Sequence, residues 1–213
     1  GTVHVFWTPF AFFFFTIAIN FYVVSKGLTA GIERLAKIGM PILFVFAAIL
    51  VVRVLTLGTH DVMVDGVLTQ SSPIDGLNFM YTPNWSLLGN PKVWLAATGQ
   101  IFFTLSVGMG SLQAYASYLT KKDDLILSGV ATAATNETAE VVLGGSLAIP
   151  AIVTFFGVAG ATAIAKGGSF DLGFIAMPLV FNQIPGGPIV FAAAGVMWFG
   201  LLFFAGITSS VAM

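Results

Sequence analysis

The sequence predicts an all-α integral membrane fold, and three observations carry that prediction. Hydrophobic residues make up 57% of the chain and charged ones 8%, against about 25% charged in an ordinary soluble domain. Eight basic and nine acidic side chains cannot coat a soluble particle of 213 residues. Long uncharged stretches recur, each near the roughly 20 residues that a helix needs to cross about 30 Å of hydrocarbon. A net charge of −1 leaves no basic stripe for phosphates, which excludes nucleic acid as a partner. There is no cysteine, so disulfides, thiolate catalysis and iron–sulfur sites are excluded, and the two histidines, His4 and His60, are far apart in the sequence.

Five spans follow in order. Residues 5–25 carry no formal charge, and residues 38–57 are interrupted only by Arg53. Residues 93–120 are uncharged throughout, whereas the fourth span, 125–157, contains Glu137 and Glu140. From Leu172 onward the chain is again uncharged, and Pro178, Pro185, Gly186, Gly187 and Pro188 place the last span at 188–213. Residues 58–92 and 158–187 are then loops, with Phe170–Phe181 short enough for a re-entrant hairpin. Five of the eight basic residues, Lys26, Arg34, Lys37, Lys121 and Lys122, lie on the opposite side. The excess of Lys and Arg makes that side cytoplasmic and the two loops external. Phe12–Phe15 is most simply a lipid-facing surface. The chain begins at Gly1 and stops at Met213 inside an apolar stretch, which reads as an internal piece of a larger membrane protein.

The polar residues of the spans carry the chemistry. Span three holds Thr104, Ser106, Gly108 and Gly110 near its middle. One reading is an unwound segment, whose exposed carbonyls suit a cation and whose N–H groups suit a carboxylate. The other is close helix packing, which uses the same small residues. In span four Asn136 and Glu140 are four apart and share a helix face. An intramembrane carboxylate marks an ion path or proton relay by default. A straight helix from Asp124 puts Glu140 about 24 Å deep, where burial without a fixed cation raises a carboxyl pKa. The last span ends with Ala205, Gly206, Thr208, Ser209 and Ser210. Its hydroxyls offer oxygen ligands to a hard monovalent ion, or bond their own helix carbonyls.

Taken together, these stretches resemble the neurotransmitter:sodium symporter family. GQIFFTLSVGMGSLQAYASY, from Gly99 to Tyr118, resembles its sixth, unwound transmembrane helix. NETAEVVLGGSLAIP (Asn136 to Pro150) resembles the seventh, FFAGITSS (Phe203 to Ser210) the eighth, and GIERLAKIGMP (Gly31 to Pro41) the start of the fifth. The resemblance covers essentially the whole chain, as about helices four to eight of a LeuT-type inverted-repeat fold with one broken helix.

The resemblance implies sodium-coupled symport of a hydrophobic, zwitterionic amino acid by alternating access. Thr104 and Asn136 would bind one sodium ion together with the substrate carboxylate, and Ala205, Thr208 and Ser209 would complete a second sodium site. Phe103, Thr104, Ser106, Met109, Ser209 and Met213 match positions lining the amino-acid pocket. Gln100 and Glu140 match the surroundings of the family's chloride site; a carboxylate there implies chloride independence. Tyr118 matches the cytoplasmic gate region. Both sodium sites would need residues from the remainder of the transporter chain, and the setting implied is the lipid bilayer of a bacterial cytoplasmic (inner) membrane. The rival reading is an ion channel or proton-conducting subunit with Glu140 as relay. An enzyme is the weakest reading, since Ser209 has no visible general base.

Overall fold

The computed structural model describes residues 7–64, 66–108 and 110–211. Among them, four stretches are long and apolar enough to cross a membrane: Trp7–Ser25, Leu28–Leu55, Leu125–Lys166 and Gly187–Ser210. Met109 and Met213, expected to line a pocket, lie outside the described residues.

Helix α1 spans Trp7–Ser25. Thr16 donates to the Phe12 carbonyl and Asn20 to the Thr16 carbonyl, each at 2.9 Å, as buried or lipid-facing hydroxyls and amides must. Gly27, at φ 76°, ends that helix and leads through a π-helical turn, Leu28–Glu33, into α2, Arg34–Leu55. The turn is tight: a Cβ on Gly31 would lie 2.1 Å from the Val23 carbonyl oxygen.

Gly39, Leu43, Ala47, Leu50 and Val54 form the buried stripe of α2, spaced by three or four residues as one helix face requires. Part of that face meets α10, Gly187–Ser210. Glycines notch the contact from both sides, since a Cβ on Gly39 would lie 3.0 Å from Phe204 and one on Gly200 3.1 Å from Phe46. Such small residues let membrane helices approach closely.

The stretch after α2 is ordered rather than an open loop. His60–Val64 (β1) pairs antiparallel with Val67–Ser71 (β2), Val64 facing Val67 across residues 65 and 66. Gly66 has φ 80°, the left-handed backbone that a two-residue hairpin turn needs. Helix α3, Pro73–Tyr81, follows with a reciprocal cap between Ser72 and Asp75 and proline in its first turn. Gly76 packs α3 against the helix that carries Pro150 so closely that a Cβ would lie 2.4 Å from the proline Cα. Ser71 donates a buried 2.7 Å hydrogen bond to the Val153 carbonyl.

Beyond a 3₁₀ turn, Trp85–Gly89, helix α4 covers Pro91–Thr104, with Asn90 capping the Lys92 N–H. Helix α5 is Ser111–Ala116. Asp124 then caps α6, Leu125–Glu137, which runs through a π-helical stretch, Thr138–Gly145, into α7, Ser146–Lys166. Span four was expected to end at residue 157. The helix instead bends at Gly157, where φ is 67° and ψ 173°, and resumes to Lys166, because only glycine takes that backbone cheaply.

Residues 158–187, expected as an external loop, are therefore largely helical. After α7 come α8, Gly168–Asp171, a π turn at Leu172–Ala176, and α9, Met177–Gln183. The reason is burial. Met177, Val180 and Phe181 are enclosed with Leu147, Ala151 and Ile152 of α7, Leu50 and Val54 of α2, and Trp198 of α10. The Trp198 indole N–H closes the unit by donating to the Gly173 carbonyl at 2.9 Å. A segment too short to span a bilayer gains its apolar partners from the protein.

Candidate functional site

Helix α4 stops at Thr104, and regular winding resumes only at Ser111. Between them Ser106 has φ 53°, Gly108 86° and Gly110 87°. A non-glycine residue at positive φ costs about 1 kcal/mol or more and persists only when its surroundings over-determine it. The ending is shaped by local bonds: the Ser106 N–H donates to Phe103 O and the Val107 N–H to Phe102 O, at 3.0 and 2.9 Å. The sequence cluster of Thr104, Ser106, Gly108 and Gly110 thus marks an unwound segment rather than a close-packed helix seam.

Four polar side chains meet at the end of α4. Glu140 accepts hydrogen bonds from the Gln100 amide and the Thr104 hydroxyl, each at 2.8 Å. Gln100 also donates to the Thr104 Oγ1 at 3.2 Å. Asn136 donates its amide to the main-chain carbonyl of Thr104 at 3.3 Å. That carbonyl belongs to the last residue of the half-helix, where the negative end of the peptide dipole lies. A carboxylate, a threonine hydroxyl and a helix-end carbonyl are thus brought together, hard oxygens of the kind that suit a small cation.

Glu140 reaches this point from the π-helical stretch that follows α6, so the wider winding shifts it relative to a continuous α-helix. Such π-bulges are common at functional sites. Asn136 remains in the last turn of α6 and also lines an open cleft between α6 and α2, with Met40, Phe44, Thr132 and Thr135. Among the described residues no group of three His, Asp or Glu side chains converges.

The second expected ion site lies on α10. Thr208 donates to the Phe204 and Ala205 carbonyls at 2.7 and 3.1 Å, and Ser209 donates to the Ala205 carbonyl at 3.0 Å. The hydroxyl protons are thus directed along the helix, while each hydroxyl oxygen keeps lone pairs for another ligand. Among the described residues no hydrogen bond joins this turn to the Gln100–Thr104–Asn136–Glu140 group. Phe103 is 66% exposed and Tyr118 62% exposed; Tyr118 follows α5, its N–H bonded to Tyr115 O. Asn20, which the sequence analysis does not single out, lies beside the α10 turn, its amide oxygen accepting the hydroxyl of Ser210. Its signal was a lone amide inside an otherwise apolar helix.

An apolar helix broken after Thr104, its end met by a carboxylate and an amide from a second apolar helix, is the feature of an all-α membrane transporter fold. A profile of the sodium:neurotransmitter symporter family matches residues 9–213. The chain is 32% identical over 212 residues to an uncharacterized sodium-dependent transporter of Haemophilus influenzae, covering 98% of this chain and 41% of that protein. It is 34% identical over 199 residues to another from Methanocaldococcus jannaschii, covering 90% of this chain and 36% of that one. A sodium-dependent nutrient amino acid transporter 1 of Drosophila virilis is 31% identical over 156 residues, which is 68% of this chain and 23% of the relative. The chain belongs to the sodium:neurotransmitter symporter family, whose members are transporters and not enzymes. It spans about two fifths of the length of the prokaryotic relatives it matches.

Proposed function

We propose that these residues are the middle portion of a sodium-coupled symporter of a neutral amino acid that works by alternating access. The observation that supports this most directly is the meeting of Gln100, Thr104, Asn136 and Glu140 at the broken end of α4. Thr104 and Asn136 hold one sodium ion there, together with the carboxylate of the bound amino acid. Ala205, Thr208 and Ser209 hold the second. Phe103, Ser106, Met109, Ser209 and Met213 border the substrate, whose apolar side chain the soft methionines accommodate. Residues outside this chain complete both ion sites. Gln100, Phe103 and Glu140 are exposed in the described chain, in keeping with that role.

Charge explains the carboxylate. Two sodium ions and a zwitterion carry a net charge of +2 into a low-dielectric site, and uncompensated charge there costs several kcal/mol. An ionised Glu140, bonded by Gln100 and Thr104, offsets one of those charges without a chloride ion. Sodium promotes the substrate-binding arrangement to the extent that it binds that arrangement more tightly than the others. Tyr118 belongs to the cytoplasmic gate region, and the host membrane is a bacterial cytoplasmic (inner) membrane.

The test is binding of a labelled amino-acid panel to the complete transporter that contains this chain, in sodium and then in potassium, without chloride. Sodium-dependent binding that disappears in Asn136→Ala and Thr208→Ala is expected, and it names the substrate. A folded protein that binds no amino acid in sodium, but conducts protons or ions through Glu140, would replace symport with a conduit.

A further inference from the structure

The last turn of α10 has two faces. At about 100° per residue, Ala205, Thr208 and Ser209 share one side of the helix, whereas Ile207, Ser210 and Val211 share the other. The second side is held. Ile207 and Val211 are buried against Val23 of α1, with Ile19 of α1, Ile32 of the π turn and Leu35 of α2 around them. At the exposed edge of this small core stands a polar contact between the helices: the Ser210 hydroxyl donates to the amide oxygen of Asn20, with the Ile207 carbonyl of its own helix as a second, longer acceptor at 3.5 Å. Asn20 is itself oriented, because its NH₂ donates to the Thr16 carbonyl one turn earlier at 2.9 Å. Its oxygen is therefore turned outward as a fixed acceptor.

We propose that Asn20 is a positioning residue for the sodium-binding turn of α10, acting through Ser210; the inference rests on the sodium site proposed above. The geometry is that of a clamp on the back of a ligand-bearing helix. A helix held only by apolar contacts can rotate or slide at small cost, because alkyl packing has little directional preference. A hydrogen bond between two helices in hydrocarbon has no water to replace it, so it fixes rotation about the helix axis. With Ser210 tied to Asn20, the Ala205 carbonyl and the Thr208 and Ser209 oxygens are set on the opposite face at one angle. An ion site tolerates little loosening, because ligand oxygens must stay within a few tenths of an ångström of their positions. Neither Asn20 nor Ser210 touches the ion in this arrangement.

The test compares Asn20→Leu, Ser210→Ala and the double variant in the complete transporter, reading the sodium concentration for half-maximal amino-acid binding. Thr208→Ala serves as the reference for direct loss of an ion ligand. Each single variant is expected to raise half-saturating sodium about tenfold, the scale of one lost interhelical hydrogen bond. The double variant should do no more than either single one, since both remove the same contact. Amino-acid affinity at saturating sodium should be unchanged, a separation that a general loss of folding would not produce. Ser210→Ala removes one oxygen from a helix and keeps the test valid if Asn20→Leu does not fold. Wild-type sodium dependence in folded Ser210→Ala, or effects that multiply in the double variant, would overturn the role of Asn20 while Thr208→Ala still weakens sodium. If Thr208→Ala also leaves sodium dependence untouched, the sodium site itself is misassigned and the inference falls with it.

Discussion

Gln100 and Glu140 stand forty positions apart in the chain and are joined by a 2.8 Å hydrogen bond, amide to carboxylate. The bond ties the first half of a broken helix to the π-helical stretch of another, and Thr104 adds a second donor to the same carboxylate. Charge-assisted bonds of this kind are worth about 1.5–3 kcal/mol when shielded from water. In the function proposed above, this twice-bonded carboxylate offsets part of the charge of sodium.

That role predicts the outcome of Glu140→Ser in the complete transporter. The replacement removes a negative charge and leaves a neutral hydroxyl beside Gln100 and Thr104. Sodium-coupled uptake in chloride-free buffer should fall at least tenfold and recover when chloride is added, whereas the unmodified protein should be indifferent to chloride. Uptake by Glu140→Ser that is fast without any anion would show that the carboxylate does not balance charge.

Gly76 brings α3 into direct contact with the backbone of α7 at Pro150. A methyl at position 76 would sit 2.4 Å from backbone, the Pro150 Cα, with no flexible group to give way. Gly76→Ala should therefore destabilise the protein by about 1–3 kcal/mol, the usual range for overpacking. At Gly145 the same methyl would meet only the end of the Met80 side chain, at 2.3 Å from its Cε. Met80 can change rotamer, so Gly145→Ala should cost clearly less. Thermal unfolding of the two variants in detergent gives the ranking.

Ser71→Ala removes the donor to the buried Val153 carbonyl. Leaving a buried acceptor unpaired costs about 1–3 kcal/mol. Because the bond connects β2 to α7, loss should appear as faster amide exchange across His60–Ser71, with α10 unaffected. Equal exchange in both regions would mean that the hairpin is held by its apolar side chains alone.

Outside the membrane, Asp123 accepts hydrogen bonds from the Thr120 N–H at 2.6 Å and the Thr120 hydroxyl at 2.9 Å. The backbone bond first, and the hydroxyl second, hold its carboxyl below the usual carboxylate range. The folded-state pKa is depressed, so the stabilisation is present above the unfolded value near 3.9 and is lost as pH falls through the lower folded value. Thr120→Ala should raise the Asp123 pKa toward its ordinary value. Titration of the Asp123 carboxyl carbon by NMR reads this directly, and an unchanged midpoint would assign the whole shift to the backbone bond.

Legibility followed the range of the forces involved. Asp124 as a helix start and the glycine–hydroxyl cluster after Thr104 were readable because capping and positive φ are decided within a few residues. The Ser72-Pro73-Ile74-Asp75 cap and the turn before Val67 were equally local signals. Hydropathy alone makes residues 58–92 a loop, because it cannot tell a hairpin from one. Polar residue types in apolar surroundings pointed to Gln100, Thr104, Asn136 and Glu140 separately. Their meeting depends on how α4 and the π-helical stretch are placed, which no local pattern contains.

By itself, then, the sequence determined the solvent of this protein, its helical class, the place where a helix break or a close packing seam falls, and the polar residue types within the spans. Each of these follows from transfer free energies and backbone sterics that act along the chain. The tertiary structure decided that Gly157 bends α7, that residues 158–187 wind into helices, and that Asn20 lies behind the α10 turn. Those outcomes depend on contacts between residues as much as 190 positions apart, where shape and unpaired polar groups, rather than average hydropathy, select the partner.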